Sequence, residues 1–135
     1  MRQRGGGSIV NVSSISGMRP FESSGASCMS KAALIMMSQV MALELAGEGI
    51  RVNVICPGMV EDTELGSGIF SAQQVTASYE RFRPLHPLGR NGKPRDVAEA
   101  ALFLCSAESS WMTGAVLPLD GRRARRDWWS DRNFG

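Results

Sequence analysis

The sequence is poor in the side chains from which metal sites and many nucleophilic active sites are built. It has a single histidine, His86, and three cysteines, Cys28, Cys56 and Cys105, none of which forms a C-x-x-C pair. Structural zinc sites need four closely spaced Cys or His ligands, so the sequence predicts no metal ion. Three widely spaced cysteines are typical of reduced thiols in a cytoplasmic protein, and we expect each of them to pack in the core.

Signals for membrane targeting are also missing from the pattern. Residues 1–4 include two arginines, but three glycines follow them where a secretory signal would have an apolar segment. The apolar run 32–46 is interrupted by Ser38, Gln39 and Glu44, and it is shorter than the roughly 20 residues that a membrane-spanning helix needs. We therefore expect a cytoplasmic protein that does not bind a membrane.

An excess of positive charge occurs only near the C-terminus. The 15 Lys and Arg residues against 13 Asp and Glu residues give a net charge of +2. Five arginines and two aspartates lie after residue 121, so that segment carries +3 and the remainder carries −1. A nearly neutral body does not predict a nucleic-acid-binding domain.

The tail, residues 122–135, combines those arginines with Trp128, Trp129 and Phe134. Basic and aromatic side chains together can bind single-stranded nucleic acid or a membrane surface, and a salt titration of binding would test that alternative. Terminal segments of this kind are more often solvated and poorly ordered, and this is the behaviour that we expect of the tail.

Apolar runs and helical patterns alternate along the rest of the chain. The predicted strands are 9–12, 51–56 and 115–119. The predicted helices are 27–46, 73–82 and 97–105, and His86 is expected in a turn-rich loop. Strands joined by a long helix pair in parallel. The pattern therefore predicts an α/β fold: a partial Rossmann (doubly wound) sheet of three parallel strands with flanking helices on both faces.

Ser14 and Lys31 are the candidate functional residues that this pattern brings together. Ser14 follows the first predicted strand, and Lys31 lies in the first turns of the next helix. Ligands of open parallel sheets bind outside the carboxyl ends of the strands, where both side chains are expected. Taken alone, the commoner role of such a serine is to cap backbone groups, and the commoner role of such a lysine is a solvated helix residue.

The spacing of these residues resembles the active-site segment of the short-chain dehydrogenase/reductase family. That family has a Ser at the end of a strand, a Tyr thirteen residues later and a Lys four residues after the Tyr. Ser14 and Lys31 match the Ser and the Lys, while Ser27 occupies the Tyr position. The resemblance implies that Ser14 binds a substrate carbonyl, that residue 27 transfers the proton, and that Lys31 binds the nicotinamide ribose. A serine hydroxyl is shorter and far less acidic than a phenol, so Ser27 predicts impaired proton transfer.

Further motifs extend the resemblance to about residues 5–121. The run R-V-N-V-I-C-P-G-M-V resembles the strand and Pro-Gly turn that pass the nicotinamide ring, which implies cofactor contacts at Pro57, Gly58 and Val60. The family usually has a Thr five residues after that Pro. Here Asp62 occupies the position, and the next residue, Thr63, is the implied contact. The runs P-L-G-R-N-G-K-P-R-D-V-A and Asp-Gly before residue 122 match the segment before the last helix and the turn after the final strand.

The first half of the family's fold has no counterpart in this sequence. The family opens with a strand, a glycine-rich turn and a helix that hold the cofactor's pyrophosphate. Here the three glycines 5–7 precede a strand instead of following one. The chain therefore resembles the C-terminal half of a dehydrogenase that begins at an internal methionine. NAD or NADP is the implied cofactor, and we expect the isolated chain to bind neither of them appreciably.

Two functions of different classes follow from the resemblance. The first is an NAD(P)-dependent oxidoreductase of small alcohols and ketones, with 3-oxoacyl thioesters as one candidate substrate class, that is truncated and impaired as given. The second is a catalytically silent subunit or binding module that pairs with an intact homologue. The helix 31–46 is apolar on most of its circumference, and the family uses this helix for dimerisation, so a homo- or hetero-oligomer through it is expected.

Overall fold

The computed structural model describes residues 1–64, 68 and 70–121. Its strands are β1 (Gly7–Val12), β2 (Ile50–Pro57) and β3 (Val116–Leu119), and its α-helices are α1 (Gly25–Leu45), α2 (Ala72–Phe82) and α3 (Pro94–Cys105). Single-turn 3-10 helices lie at Arg2–Arg4, Ile15–Gly17, Ala46–Glu48, Arg83–Leu85 and Ala107–Ser109. Every predicted strand and helix is present, with boundaries that differ by at most three residues. The predicted tail, 122–135, lies outside the described residues.

The three strands form one sheet in the order β1-β2-β3, and both pairs are parallel. In the register, Ile9 lies opposite Val52, and Val54 lies opposite Val116. All three carboxyl ends therefore meet at one edge of the sheet, where the segments after Val12, Pro57 and Leu119 begin. The predicted α/β fold with a parallel sheet is confirmed.

An even-numbered and an odd-numbered side chain of β1 bind different helices, which places α1 and α3 on opposite faces of the sheet. Ser8 Oγ donates a hydrogen bond to the Leu104 carbonyl of α3 at 2.8 Å. Asn11 Nδ2 donates to Ser38 Oγ of α1 at 2.9 Å. Odd and even residues of a strand point to opposite faces, so each face carries one helix. The central strand β2 is covered on both sides and supplies five fully buried residues, Val52, Asn53, Val54, Ile55 and Cys56.

Helix α1 is buried along one narrow stripe only. Ser38 and Ala42 face the sheet and are 0% and 2% exposed. A row of apolar side chains points away from it: Met29, Met36, Met37, Val40 and Leu43. Leu43 is 83% exposed. The second apolar face expected from the sequence is present, and nothing in the described part of the chain covers it.

The length of α1 exceeds what the apolar run 32–46 suggested. By length and composition the segment Gly25–Glu48, which contains an 18-residue window of mean hydropathy 1.3, is long enough to cross a membrane, so the expectation that the helix is too short was wrong. The helix is longer because regular structure begins at Gly25, before the apolar run. A core helix passes the same test. Since α1 packs on β2 and accepts hydrogen bonds from Asn11 and Ser13, we describe it as part of this fold.

One expectation about burial was wrong, and the burial of His86 was not predicted. All three cysteines are unpaired, but only Cys56 is buried, whereas Cys28 is half-buried and Cys105 is exposed at the end of α3. His86 does lie in a turn, at the end of the Arg83–Leu85 helix. It is only 3% exposed, because its ring packs in the space beside glycines of two strand-end turns.

Candidate active site

Ser14 begins the turn that follows the first strand. The N–H of its neighbour Ser13 still donates to the Ile55 carbonyl at 2.8 Å, so pairing with β2 continues to this point. Ser14 then caps the Ile15–Gly17 helix, and its Oγ accepts a hydrogen bond from the Ser16 N–H at 3.1 Å. A hydroxyl that accepts one bond keeps its hydrogen for donation. The capping role and a role as donor to a carbonyl are therefore compatible in Ser14.

Two contacts fix the main chain of Lys31 beside the same turn. The buried Ser13 hydroxyl donates to the Lys31 carbonyl at 2.8 Å. Gly17 approaches the helix so closely that a Cβ atom there would lie 2.6 Å from the Lys31 carbonyl carbon. No other residue type fits at position 17 without moving α1. The turn that Ser14 begins and the helix that carries Lys31 are thus held in direct contact.

The Cys56 thiol links Ser14 to Lys31 electrostatically. Burial at the end of β2 raises the pKa of Cys56, and three neighbours oppose the rise: the Ser14 N–H, the Ser13 hydroxyl and the positive charge of Lys31. The Ser14 N–H and the Ser13 hydroxyl thus lie beside the sulfur atom, and Lys31 is near enough for its charge to act on it. This arrangement shows that the two residues selected from the sequence, Ser14 and Lys31, share a single locality at the carboxyl end of the sheet.

Ser27 is exposed on α1, four residues before Lys31. Residues four apart lie one above the other on a helix, so Ser27 is on the same side of α1 as Lys31. Its carbonyl accepts a hydrogen bond from Ser30 Oγ at 2.9 Å, an ordinary contact within the helix. The backbone is therefore placed as the predicted pattern requires, while the side chain offers a short hydroxyl where a phenol would reach several ångströms further.

Buried polar residues that the sequence did not reveal pack against the Pro57–Gly58 turn. A Cβ atom on Gly58 would lie 3.0 Å from the Asp120 Cβ and 3.5 Å from His86 Nε2, so only glycine fits without a shift. Asp120 is 8% exposed and accepts a charged hydrogen bond from Arg19 Nη2 at 2.6 Å. Arg19 belongs to the loop after Ser14, and its ion pair joins the ends of β1 and β3 across the end of β2.

The segment that follows this turn leaves the sheet and joins the region before α3. Val60 forms a parallel bridge with Gly92. Thr63 is exposed, and its Oγ1 lies 3.4 Å from the Val60 carbonyl. With Asp62 and Tyr79, Thr63 lines an open cavity of about 430 Å³ beside α2. The proposed cofactor contacts thus form two groups, one at the sheet edge with Pro57 and Gly58 and one on the outgoing segment with Val60 and Thr63.

Comparison with known proteins identifies the family. A family model described as "Enoyl-(Acyl carrier protein) reductase" matches residues 1–121. A solved short-chain type dehydrogenase/reductase from Mycobacterium ulcerans superposes with a TM-score of 0.76 at 36% identity, over 90% of this chain and 42% of that chain. This chain belongs to the short-chain dehydrogenase/reductase family.

Other members of the family show which variations occur near this sequence. The "Inactive 2-(S)-hydroxypropyl-CoM dehydrogenase 2" of Xanthobacter autotrophicus is 40% identical over 90% of this chain and 53% of its own length. The 3-oxoacyl-[acyl-carrier-protein] reductase FabG of Thermotoga maritima is 44% identical over 90% of this chain and 46% of its own length. A tyrosine-to-phenylalanine variant of ElxO with NADPH bound has a TM-score of 0.74 at 33% identity, over 90% of this chain and 48% of that chain. The chain spans about half the length of the curated relatives it matches.

The residues described fit one half of the NAD(P) that short-chain dehydrogenases use. Ser14, Lys31 and the Pro57–Gly58 turn share the carboxyl edge of the sheet, where ligands of open parallel sheets bind. The described part of the chain has no glycine-rich turn leading into a helix that could bind the pyrophosphate half. Of the three glycines 5–7, Gly6 packs against the Gly49 carbonyl below β2, and the segment leads into a strand instead of a helix.

Proposed function

We propose that this chain carries the substrate side of an NAD(P)-dependent alcohol or ketone oxidoreductase site, in a form that Ser27 impairs. The observation that carries the proposal is the direct contact of the turn that Ser14 begins with the main chain of Lys31, made by the Ser13 hydroxyl and by Gly17, together with Ser27 one turn before Lys31 on α1. Family membership adds the reaction class to this geometry.

Ser14 would bind the substrate carbonyl. Its Oγ already accepts the Ser16 N–H, so its hydrogen is free to donate to a carbonyl oxygen and to stabilise negative charge that develops there. Lys31 would bind the ribose hydroxyls, with its main chain held by Ser13 and Gly17. A bound nicotinamide would supply or accept the hydride. The Pro57–Gly58 turn would hold the flat ring close to the backbone.

Ser27 is the weak element of this site. Reduction of a ketone requires a proton for the new alkoxide, and a positioned general acid contributes roughly 10²–10⁴-fold to such a step. The Ser27 hydroxyl is exposed, short and much less acidic than a phenol. We therefore propose weak or absent turnover. One relative is named as inactive, and a variant of ElxO with phenylalanine in place of a tyrosine is described with NADPH bound.

The substrate class that we propose is a small ketone or secondary alcohol, with 3-oxoacyl thioesters included because a 3-oxoacyl reductase is among the relatives. We propose a cytoplasmic location, in keeping with three unpaired cysteines. The decisive experiment measures ketone reduction by a chimera that joins the first half of a full-length relative to this chain, with Ser27 and with Ser27→Tyr. Equal rates would contradict the proposed role of residue 27.

A second candidate function is supported by the exposed face of α1. The side chains of Met29, Met36, Met37, Val40 and Leu43 form an apolar row that a lone chain leaves in water. A catalytically silent subunit that pairs with an intact short-chain dehydrogenase through α1 would cover this row. Co-purification of a tagged chain with a full-length homologue, lost on Leu43→Glu, would favour this function over the first.

A further inference from the structure

Glu61 is the centre of a polar cluster that joins three segments of the chain. Its Oε2 accepts a hydrogen bond from Lys93 Nζ at 2.8 Å. Its Oε1 accepts one from Asn91 Nδ2 at 2.7 Å and a longer one from Arg83 Nη2 at 3.3 Å. The Glu61 side chain is only 14% exposed. The cluster therefore ties the segment after β2 to the end of α2 and to the residues that precede α3.

Lys93 also binds the residue next to Glu61. Its Nζ lies 2.9 Å from Asp62 Oδ2, so one ammonium group bridges two consecutive carboxylates. Asp62 has a φ of +55°, in the left-handed region that side chains other than glycine rarely adopt. Such a conformation persists only when the surroundings hold it. Lys93 is the described group that contacts the side chain of this strained residue.

The backbone fixes the other end of the same segment. The Glu61 N–H donates to the Gly92 carbonyl at 2.9 Å, and the Gly92 N–H donates to the Met59 carbonyl at 2.9 Å. Lys93 is the next residue after Gly92, so its side chain starts from a point already attached to the segment 59–61. The backbone hydrogen bonds of Gly92 end at Glu61, whereas the Lys93 ammonium also contacts the next residue, Asp62.

From these contacts we infer that Lys93 is a positioning residue: by bridging Glu61 and Asp62, it holds Asp62 in its left-handed conformation and so fixes Thr63 relative to Val60. The inference rests on the proposed function in one respect, because Val60 and Thr63 matter to catalysis only if they contact a nicotinamide.

The ionisation of the cluster agrees with this role. Hydrogen bonds from Lys93 and then Asn91 hold the pKa of Glu61 at about 2, and Glu61 and Asp62 raise the pKa of Lys93. Glu61 and Lys93 are therefore both charged at neutral pH. An ordinary surface pair offers a comparison within the same chain: Arg95 Nε lies 2.7 Å from Glu99, but those side chains are 87% and 61% exposed and lie within one helix.

The test is hydrogen exchange of the backbone amides 60–64, measured by mass spectrometry on the full chain. We expect Lys93→Met to raise their exchange rates at least about twofold, since even exposed ion pairs contribute measurably and this one holds a strained residue. Lys93→Arg should retain the wild-type rates, because a guanidinium can also bridge two carboxylates. Arg95→Met, which removes an equal charge from α3, should leave these amides unchanged.

Two double variants separate positioning from simple charge pairing. Lys93→Met with Asp62→Gly should return the amides towards the wild-type rates, because glycine adopts a positive φ without steric cost. Lys93→Met with Asp62→Ala should not, although it removes the same carboxylate. Unchanged exchange in Lys93→Met, or equal recovery with alanine and glycine, would overturn the inference. None of these measurements uses cofactor or activity, so failure of the positioning role and failure of the proposed function are separate results.

Discussion

The hydroxyl of Ser13 donates a hydrogen bond to the main-chain carbonyl of Lys31 at 2.8 Å, across 18 residues of sequence. This bond joins the end of β1 to the first turns of α1, and it acts on the backbone of the lysine while leaving its ammonium free to bind a ligand. The separation of the candidate residues Ser14 and Lys31 is thus fixed by a bond from the residue next to Ser14 to the main chain of Lys31.

Replacing Ser13→Ala should destabilise the chain by about 1 kcal/mol, the usual net contribution of one buried hydrogen bond. The free energy of unfolding from urea titration measures this. Ser30→Ala is a matched control, because the Ser30 hydroxyl also binds a carbonyl of α1 but does so on an exposed surface. An equal loss of unfolding free energy in both variants would show that the bond from Ser13 to Lys31 stabilises the chain no more than an exposed bond within the helix does.

The isolated chain should bind NAD and NADP negligibly. The described residues offer a place for the nicotinamide and ribose, yet the glycines 5–7 lead into β1 and do not form the helix N-terminus that binds a pyrophosphate. Titration calorimetry with each cofactor tests the expectation. Micromolar affinity for either one would contradict it and would require a phosphate site elsewhere in the chain.

Replacing Ser27→Tyr in the chimera with a relative's first half should raise ketone reduction roughly 10²–10⁴-fold, the contribution of a general acid. The introduced phenol would lie one helical turn before Lys31, whose positive charge favours the phenolate. The rate should therefore titrate on its basic limb below the unperturbed tyrosine pKa of about 10. Adding Lys31→Met should abolish both the gain and this shift. If instead the chimera with Ser27 is already as fast, Cys28 and Tyr79 become the first alternative proton donors to replace.

The isolated chain should be oligomeric or poorly soluble, because β1 has an unpaired edge in the described sheet and α1 exposes an apolar row. Leu43→Glu places a charge in that row and should lower the mean mass in light scattering. Trp111→Glu is a control, since Trp111 is 100% exposed and lies outside α1. A monodisperse monomer with a cooperative melt for the wild-type chain would contradict the expectation.

Stability should decline with acid between about pH 4.5 and pH 2, the interval between the ordinary pKa of Glu61 and its value of about 2 in the folded chain. The folded state holds the lower pKa, so the unfolded state binds more protons there, and stability rises with pH across the interval. Asp96, whose pKa is also held at about 2 by Arg90, adds to the slope. Glu61→Gln should reduce the dependence measured by urea titration at several pH values, and an unchanged slope would show that the cluster opens easily.

Local patterns were sufficient to predict the strands and helices. Runs such as 9–12 and 51–56 are rich in β-branched residues and end at Ser or Pro-Gly. Both the apolar pattern and the residues that end it can be recognised from neighbours in the sequence alone. The boundaries differ because caps extend the elements: Pro94 and the Lys93 N–H bond to Asp96 at 2.7 Å start α3 before the apolar pattern does.

The candidate site residues were proposed from two short segments, one that carries Ser14, Ser27 and Lys31 and one that runs from Pro57 to Thr63. Ser14, Ser27 and Lys31 lie within 18 residues and follow a known spacing. The contacts that hold the site are remote: Arg19 binds Asp120 across 101 residues, and Lys93 binds Glu61 across 32. A single sequence has no local signal for such pairs. The burial of His86 was missed for the same reason, since it depends on two glycines that approach only in the folded chain.

The ion pair between Arg19 and Asp120 also bears on the order of folding. Closing a loop of about 100 residues costs conformational entropy that is recovered only after both ends are present. During synthesis the strands β1 and β2 and the helix α1 leave the ribosome before residue 120 and can pair locally. The ion pair across the end of β2 must wait until residue 120 has been synthesised. The contacts that hold Ser14 near Lys31 can therefore form before the Arg19–Asp120 ion pair, which packs beside the Pro57–Gly58 turn.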